Sequence, residues 1–383
     1  MHFITLSHIP DWGHILGYRL YTELIPKMGS NVILAELIPS AGDNINNIKG
    51  FKFMVKNINM AVVEPTEEML SSGLIKNIYP VSTMDTKIKN ARERLNTDML
   101  FDMGITGKGV GIAILDTGLS PTADFNGRIA AFADFTDNRA FPYDDNGHGT
   151  HVAGIACGSG ALSGGFYRGI APGAHIIPVK ILDKYSRGNS LTAIMAIQWI
   201  MDNKDKYNIR LINMSAGTTD KTANIPLIRA AENAVNRGIA VIAADANENF
   251  RSTVTSPGIS PKVIAVGAAE DYPSRRTYSY GALMRRTYCR KPDIYAPGTD
   301  IISCLSPEYR FEDRKGSEER ITDGQYIKMC GSSMATPMIS GIAALILERY
   351  PNITPKELKE LICRNIIGKA GVPMPDVKSI FKL

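Results

Sequence analysis

The sequence predicts an α/β fold: a doubly wound, mostly parallel central sheet with helices on both faces, preceded by a small α+β unit. Three observations carry this. From Gly107 onward, short runs that are apolar throughout alternate with stretches of helical periodicity. Strands that are apolar on both faces belong to a parallel sheet covered on each side. The run Val110–Leu115 ends abruptly in Asp116-Thr117-Gly118, a polar turn of the kind that closes such strands. The segment before these runs mixes strand and helix patterns and closes with a polar, lysine-rich stretch, Ser82–Ala91, the composition of a linker between structured units. The expected domains are therefore residues 1–88 and 89–383.

Within the first unit, Trp12–Met28 has the pattern of a short amphipathic helix. Val32–Leu37 reads as a strand, Ala41–Asn47 as a polar loop, and Phe51–Val55 as a second, alternating strand. Pro65-Thr66-Glu67-Glu68 opens a helix, with Thr66 as cap and acid in the first turn. Ile75–Val81 is a further strand. In the second unit the predicted strands are Val110–Leu115, His175–Leu182, Leu211–Met214, Ile239–Ala244 and Val263–Val266. The predicted helices are the one running through Val152–Cys157, Ser190–Lys204, Leu227–Arg237 and Ser333–Tyr350. A last helix opens at the capping box Thr354-Pro355-Lys356-Glu357. Sites in such sheets lie beyond the carboxyl ends of the strands, where Asp116, Ser215 and Asn247 fall.

Bulk properties exclude several classes. The chain has 383 residues, enough for one large domain and a small one. A net charge of +5 is modest and argues against dedicated nucleic-acid binding. The cluster Arg275, Arg276, Arg285, Arg286, Arg290 and Lys291 reads as a solvated loop face. No run approaches the roughly 18 apolar residues of a membrane span, and Met1–Pro10 lacks the layout of a secretory signal. A cytoplasmic location is expected, with export by another route as the alternative. Cys157, Cys289, Cys304, Cys330 and Cys363 form an odd, scattered set without a CxxC pair, neither a disulfide framework nor a zinc site. Cys330 is expected to be buried packing.

The richest stretch is Gly331-Ser332-Ser333-Met334-Ala335-Thr336-Pro337, followed by small and apolar residues at helical spacing. It reads as a turn that delivers Ser333 at a helix N-terminus, where the dipole and free N–H groups favour a developing negative charge. Taken alone, Ser333 is equally well an N-cap. Upstream stand Asp116-Thr117-Gly118 and Asn146-Gly147-His148-Gly149-Thr150-His151-Val152-Ala153-Gly154.

Together, and in this order, these three blocks closely resemble the signatures of the subtilisin-like serine proteases, over about Gly107 to Ile366. Intracellular bacterial members with a propeptide-like N-terminal domain are the nearest likeness. The resemblance implies an acyl-enzyme mechanism. Serine is a weak nucleophile without a base; His148 would take the Ser333 proton and Asp116 would orient the imidazole. His151 would be structural. Asn247 and the Ser333 N–H would hold the oxyanion, with Asp245-Ala246 standing where the family usually has Ala-Gly.

The resemblance also implies that Ser215, Ala216 and Gly217 pair with an extended substrate and wall its primary pocket. Ser186, Arg187 and Gly188 form the opposing strand. Such recognition is largely backbone pairing. Thr255 would narrow the pocket base, favouring small or medium apolar side chains before the scissile bond. The chemistry needs no cofactor. Structural calcium is left open: Asp134, Asp137, Asp144 and Asp145 cluster in sequence but read equally as solvated turn aspartates, and Gly158–Arg168 lacks the asparagine run of a common calcium site. The N-terminal unit resembles the family's propeptide, an inhibitor and folding aid removed by cleavage within Ser82–Ala91; a retained subdomain is the alternative. The expected function is a serine endopeptidase acting on protein or peptide substrates and made as a self-processing zymogen. A binding pseudoprotease and a peptide ligase remain the other readings.

Overall fold

The computed structural model describes residues 33–37, 47, 49–55, 60–64, 66–80, 87–218, 221–245, 255–269, 291–309, 320–321, 324–367 and 372–383. Two compact units result, Met1–Asp85 and Thr86–Leu383. The expected helix at Trp12–Met28 lies outside the described residues.

The first unit contains β1 (Ile33–Leu37), β2 (Phe51–Val55), β3 (Met60–Val63), α1 (Glu67–Ser71) and β4 (Ile75–Pro80). The strands pair antiparallel in the order β2-β3-β1-β4. Thr66 caps α1 as expected, its Oγ1 accepting from Met69 N at 3.2 Å, and Met69 is buried with Leu37, Ala61 and Val63. The sequence did not separate β3, a short strand that the polar residues before it mask.

The second unit opens with α2 (Lys87–Arg94) and α3 (Asp98–Asp102). Within the linker expected over Ser82–Ala91, residues 87–91 are therefore helical, and the split between the two units falls at Asp85/Thr86. Ala91 and Leu95, one helical turn apart, are fully buried, and Arg92 is anchored to Asp98 and to the carbonyl of Arg168. The lysine-rich first turn disguised an amphipathic helix.

The chain continues through β5 (Gly111–Asp116), β6 (Ala133–Asp134), α4 (His148–Cys157), β7 (His175–Lys180), α5 (Ser190–Asn203), β8 (Ile209–Met214), α6 (Lys221–Asn236), β9 (Ala240–Ala244), β10 (Ile264–Ala269) and β11 (Ile294–Pro297). These strands form one parallel sheet, ordered β11-β10-β9-β8-β5-β7-β6. Side chains alternate across it. Ile112 and Ile114 join the core beneath α4, while Ala113 and Leu115 join the core with Ile197, Ile200 and Leu227 of α5 and α6. The sheet is thus doubly wound, and β5 lies where the strand order reverses, between β7 and β8.

Then follow β12 (Ile301–Cys304), β13 (Arg320–Ile321), β14 (Tyr326–Met329), α7 (Ser332–Arg349), α8 (Pro355–Arg364), β15 (Ile366–Ile367), β16 (Met374–Pro375) and α9 (Val377–Phe381). β12, β14 and β13 form a small antiparallel sheet, which the sequence had not suggested. The capping box at Thr354 and Glu357 is present. From Met334 to Leu347 every residue of α7 is buried. Two expectations are corrected. Cys330 is exposed, since alternation along β14 turns Met329 inward and the next residue outward. Lys291 is not solvated: its Nζ donates to Asp293 and to the Val263 carbonyl, and burial pushes its pKa down to about 8. The arginines of that cluster lie outside the described residues. Among the described residues no helix is long and apolar enough to cross a membrane.

Candidate active site

Asp116 is the last residue of β5 and is fully buried. His148 opens α4, and its Nδ1 lies 2.7 Å from Asp116 Oδ1. A carboxylate oxygen can only accept, so Nδ1 carries the proton and donates. The other ring nitrogen, Nε2, is then unprotonated in the neutral imidazole, the state a general base requires. The His148 side chain keeps 17% of its surface exposed against 0% for Asp116, so the histidine faces outward from a buried anchor. His151, one turn further along α4, is buried, and its Nε2 donates to the carbonyls of Ile301 and Ile327 at 3.1 Å each. Burial, helped by the nearby His148, lowers its pKa to about 3. It is a neutral strut between α4 and the small antiparallel sheet.

Ser333 is the second residue of α7, after Gly331 at φ 142°, a backbone conformation open mainly to glycine. Its Oγ donates to the carbonyl of Ser215, at 3.1 Å, and Ser215 Oγ donates back to the carbonyl of Ser333, also at 3.1 Å. The reciprocal pair has a cause in the sequence. The Ser333 carbonyl would normally accept from the N–H four residues on, but Pro337 stands there and has none. Ser215 fills the gap, and is itself held by Asn213 Nδ2 at 3.1 Å, while Asn213 Oδ1 accepts from Ser340 of α7 at 2.8 Å. Ser332 Oγ donates to the Asp245 carbonyl, tying α7 to the end of β9. Asn247 lies outside the described residues. Asp245 itself is 4% exposed, and burial together with its charge raises the pKa of Tyr295.

Of the expected substrate residues, Ser215, Ala216 and Gly217 follow β8 directly. The structure brings Thr255 to them: Thr218 and Ser256 form an antiparallel bridge, and Thr255 Oγ1 would lie 2.7 Å from a Cβ built on Gly217. Thr255 Oγ1 also donates to the Ala244 carbonyl at 3.0 Å. Ser186, Arg187 and Gly188 lie in the loop after β7, at the same carboxyl edge of the sheet. Asn146 Nδ2, two residues before His148, donates to Lys184 of that loop at 2.8 Å.

The aspartates considered for calcium are occupied by protein donors. Asp134 accepts from Thr136 N and Oγ1, Asp137 N, Arg139 N and the Tyr143 hydroxyl, at 2.7–3.2 Å. Burial pushes its carboxyl up, but these hydrogen bonds outweigh it and leave the pKa below the usual range. Asp145 holds the buried Lys180. Asp144 is neither a solvated turn aspartate nor an available ligand: it is fully buried and accepts five hydrogen bonds. Among the described residues no group of three or more histidine, cysteine or acidic side chains is placed to hold a metal. Thr117, Asp144, Lys180 and Pro337 escaped attention as parts of the site. The signals were a carboxylate four residues before His148, a lone lysine closing an apolar strand, and a proline inside the first turns of α7.

The model of the subtilase family matches residues 107–378. The chain is 39% identical over 340 residues to the serine protease AprX of Bacillus subtilis, covering 81% of this chain and 75% of that protein. It is 33% identical over 268 residues to a thermostable alkaline protease of Halalkalibacterium halodurans, covering 70% and 65%. A crystal structure of a cold-adapted subtilisin-like serine proteinase superposes with a TM-score of 0.56 at 29% identity, covering 71% of this chain and 88% of the other. A family match across the whole parallel sheet, joined to an aspartate and a histidine paired at its carboxyl edge, places the chain in the subtilase family of serine proteases.

Proposed function

We propose that this chain is a serine endopeptidase in which Ser333 is the nucleophile, His148 the general base and Asp116 its orienting anion. The observation that carries the reading is the 2.7 Å hydrogen bond between His148 and the buried Asp116, at the sheet edge where Ser215 also receives the Ser333 hydroxyl. In the reaction, that hydroxyl leaves the Ser215 carbonyl and turns to His148 Nε2. Its oxygen attacks the scissile carbonyl as Nε2 takes the proton, and imidazolium then returns the proton to the leaving amine. Asp116 stabilises the imidazolium. The Ser333 N–H, at the positive end of α7, and Asn247 hold the oxyanion. Water repeats the sequence to release the acyl group. Extended substrate pairs with residues 215–217 and 186–188, and the contact of Thr255 with Gly217 supports a preference for small or medium apolar side chains.

The unit Met1–Asp85 acts as an inhibitor and folding aid. Its support is a separate small core and a four-stranded antiparallel sheet preceding the subtilase domain. Self-cleavage falls before Lys87, because α2 is built into the core of the second unit through Ala91 and Leu95. A cytoplasmic location is part of the proposal, supported by the odd, scattered cysteines without a CxxC pair.

Intact mass, N-terminal sequencing and peptide turnover, on wild type and Ser333→Ala in parallel, test the proposal. Expected are a new N-terminus between residues 82 and 87 in wild type only, and hydrolysis of alanine-type over phenylalanine-type chromogenic peptides. Full-length wild type that hydrolyses would remove the zymogen part. A folded wild type that is freed of its N-terminal unit and still shows no turnover would overturn the enzyme reading in favour of a binding pseudoprotease.

A further inference from the structure

The hydroxyl of Thr117 and the carboxylate of Asp144 tie the turn after Asp116 to the first turn of the helix that His148 opens, and we infer that they form a clamp that sets the distance and orientation of His148 on Asp116. The inference rests on the proposed enzyme activity for its kinetic test, but not for its geometry.

Every polar atom of Thr117 is engaged. Its N–H donates to Asp116 Oδ1 at 2.8 Å, and its carbonyl accepts from Lys180 Nζ at 2.6 Å. Its hydroxyl donates to Asp144 Oδ1 at 2.8 Å and accepts from Gly149 N at 2.9 Å. Gly149 is the residue after His148, so one hydroxyl touches the chain beside each member of the pair. Asp144 works from the other side. Its Oδ1 accepts from Asn146 N at 3.2 Å and Gly147 N at 2.8 Å, and its Oδ2 from Thr150 N at 2.8 Å and Thr150 Oγ1 at 2.6 Å. An ionised carboxylate is the side chain that can accept all of these at once. Thr117, Asp144 and Thr150 are each 0% exposed.

The arrangement answers a local need. The first N–H groups of a helix have no partner within it, and a side chain at the residue before the helix usually serves. Here that residue is Gly147, which has none, at φ 97°. The N–H groups of Gly149 and Thr150 go instead to Thr117, on the aspartate's own turn, and to Asp144. Capping α4 and seating it on β5 are therefore one act. The approach is close: a Cβ on Gly149 would come within 2.2 Å of the Gly118 carbonyl and 3.2 Å of Asp116 Cβ. A purely stabilising network would not need to pass through the residue next to Asp116. Neither Thr117 nor Asp144 touches substrate in this scheme; both are positioning residues.

The test compares Thr117→Val, which keeps the shape and removes the hydroxyl, with Thr117→Ser, which keeps the hydroxyl, and with Asp144→Asn. Thr117→Ala replaces the valine variant should that one not fold. Expected are a fall in kcat of about 10- to 100-fold in Thr117→Val and Asp144→Asn, with KM within about twofold and Thr117→Ser close to wild type. A second readout does not need turnover: the low-field Nδ1 proton of His148, assigned by its loss in His148→Gln. It should persist in Thr117→Ser and broaden or exchange faster in Thr117→Val. Wild-type kcat in Thr117→Val, or equal losses in the serine and valine variants that follow melting temperature alone, would overturn the clamp. If wild type freed of its N-terminal unit shows no turnover, the enzyme reading fails, and an unchanged Nδ1 proton in Thr117→Val would overturn the clamp independently.

Discussion

On the aspartate–histidine side of the site, side chains do the holding: a threonine hydroxyl and a buried carboxylate bridge two elements from different parts of the chain. On the serine side the backbone does most of it, through a helix that is buried from Met334 to Leu347 and carries Pro337 within it. The carbonyl that the proline leaves without a helical partner is taken by Ser215. The first side depends on a few oxygen atoms, and removing one unseats the pair. The second depends on a long helix in the core and on one compensating hydrogen bond. The difference suits the proposed chemistry. The histidine shuttles a proton and needs a fixed orientation, whereas the serine hydroxyl must change partner from Ser215 to His148.

Substitutions should break the two sides differently. The largest effect is expected from Ser333→Ala, a loss of at least about 10⁴-fold in kcat/KM, with melting temperature near wild type. Next comes Gly149→Ala, which forces a methyl group against the Gly118 carbonyl. With backbone as the obstacle, the cost should exceed about 3 kcal/mol of stability, read by denaturant unfolding.

Ser215→Ala tests the serine side. It leaves the Ser333 carbonyl and Asn213 Nδ2 short of a partner, at a cost of about 1–3 kcal/mol. Pro337→Ala restores the missing helical N–H, so the double variant Ser215→Ala/Pro337→Ala should recover part of that loss. Additive losses in a double-mutant cycle would contradict the compensation.

Near neutral pH the smallest effect belongs to His151. Its pKa of about 3 in the folded protein lies below the ordinary 6.5. Between these values the unfolded chain binds a proton that the folded one refuses. Stability should therefore fall as pH drops from 6.5 towards 3, by at most about 1.4 kcal/mol per unit. The slope in that window should be shallower in His151→Gln, measured by unfolding at several pH values.

The legible part of this molecule was the part written in contiguous residues. Apolar runs ending in polar turns announced the parallel sheet, and three short blocks singled out Asp116, His148 and Ser333, the first two of which are hydrogen-bonded to each other. What joins distant stretches was not legible. Asp144 looked like any turn aspartate, because nothing in one sequence says that its carboxylate folds forward onto the helix it precedes. Pro337 read as part of a signature, and its consequence appeared only when Ser215 was seen beside the carbonyl it frees. The helix at Lys87–Arg94 was hidden because the buried Ala91 and the following Leu95 are set among lysines and arginines. Cys330 was assigned to the core although the strand it follows had already turned Met329 inward.

The most direct test of the central claim is labelling with a fluorophosphonate probe, followed by peptide mapping, on wild type and Thr117→Val at equal folded concentration. The account predicts that wild type labels at Ser333 alone and that Thr117→Val labels at the same residue about tenfold or more slowly. Labelling elsewhere, or none on folded wild type freed of its N-terminal unit, would contradict the assignment of the nucleophile. Equal labelling rates in the two proteins would contradict the clamp.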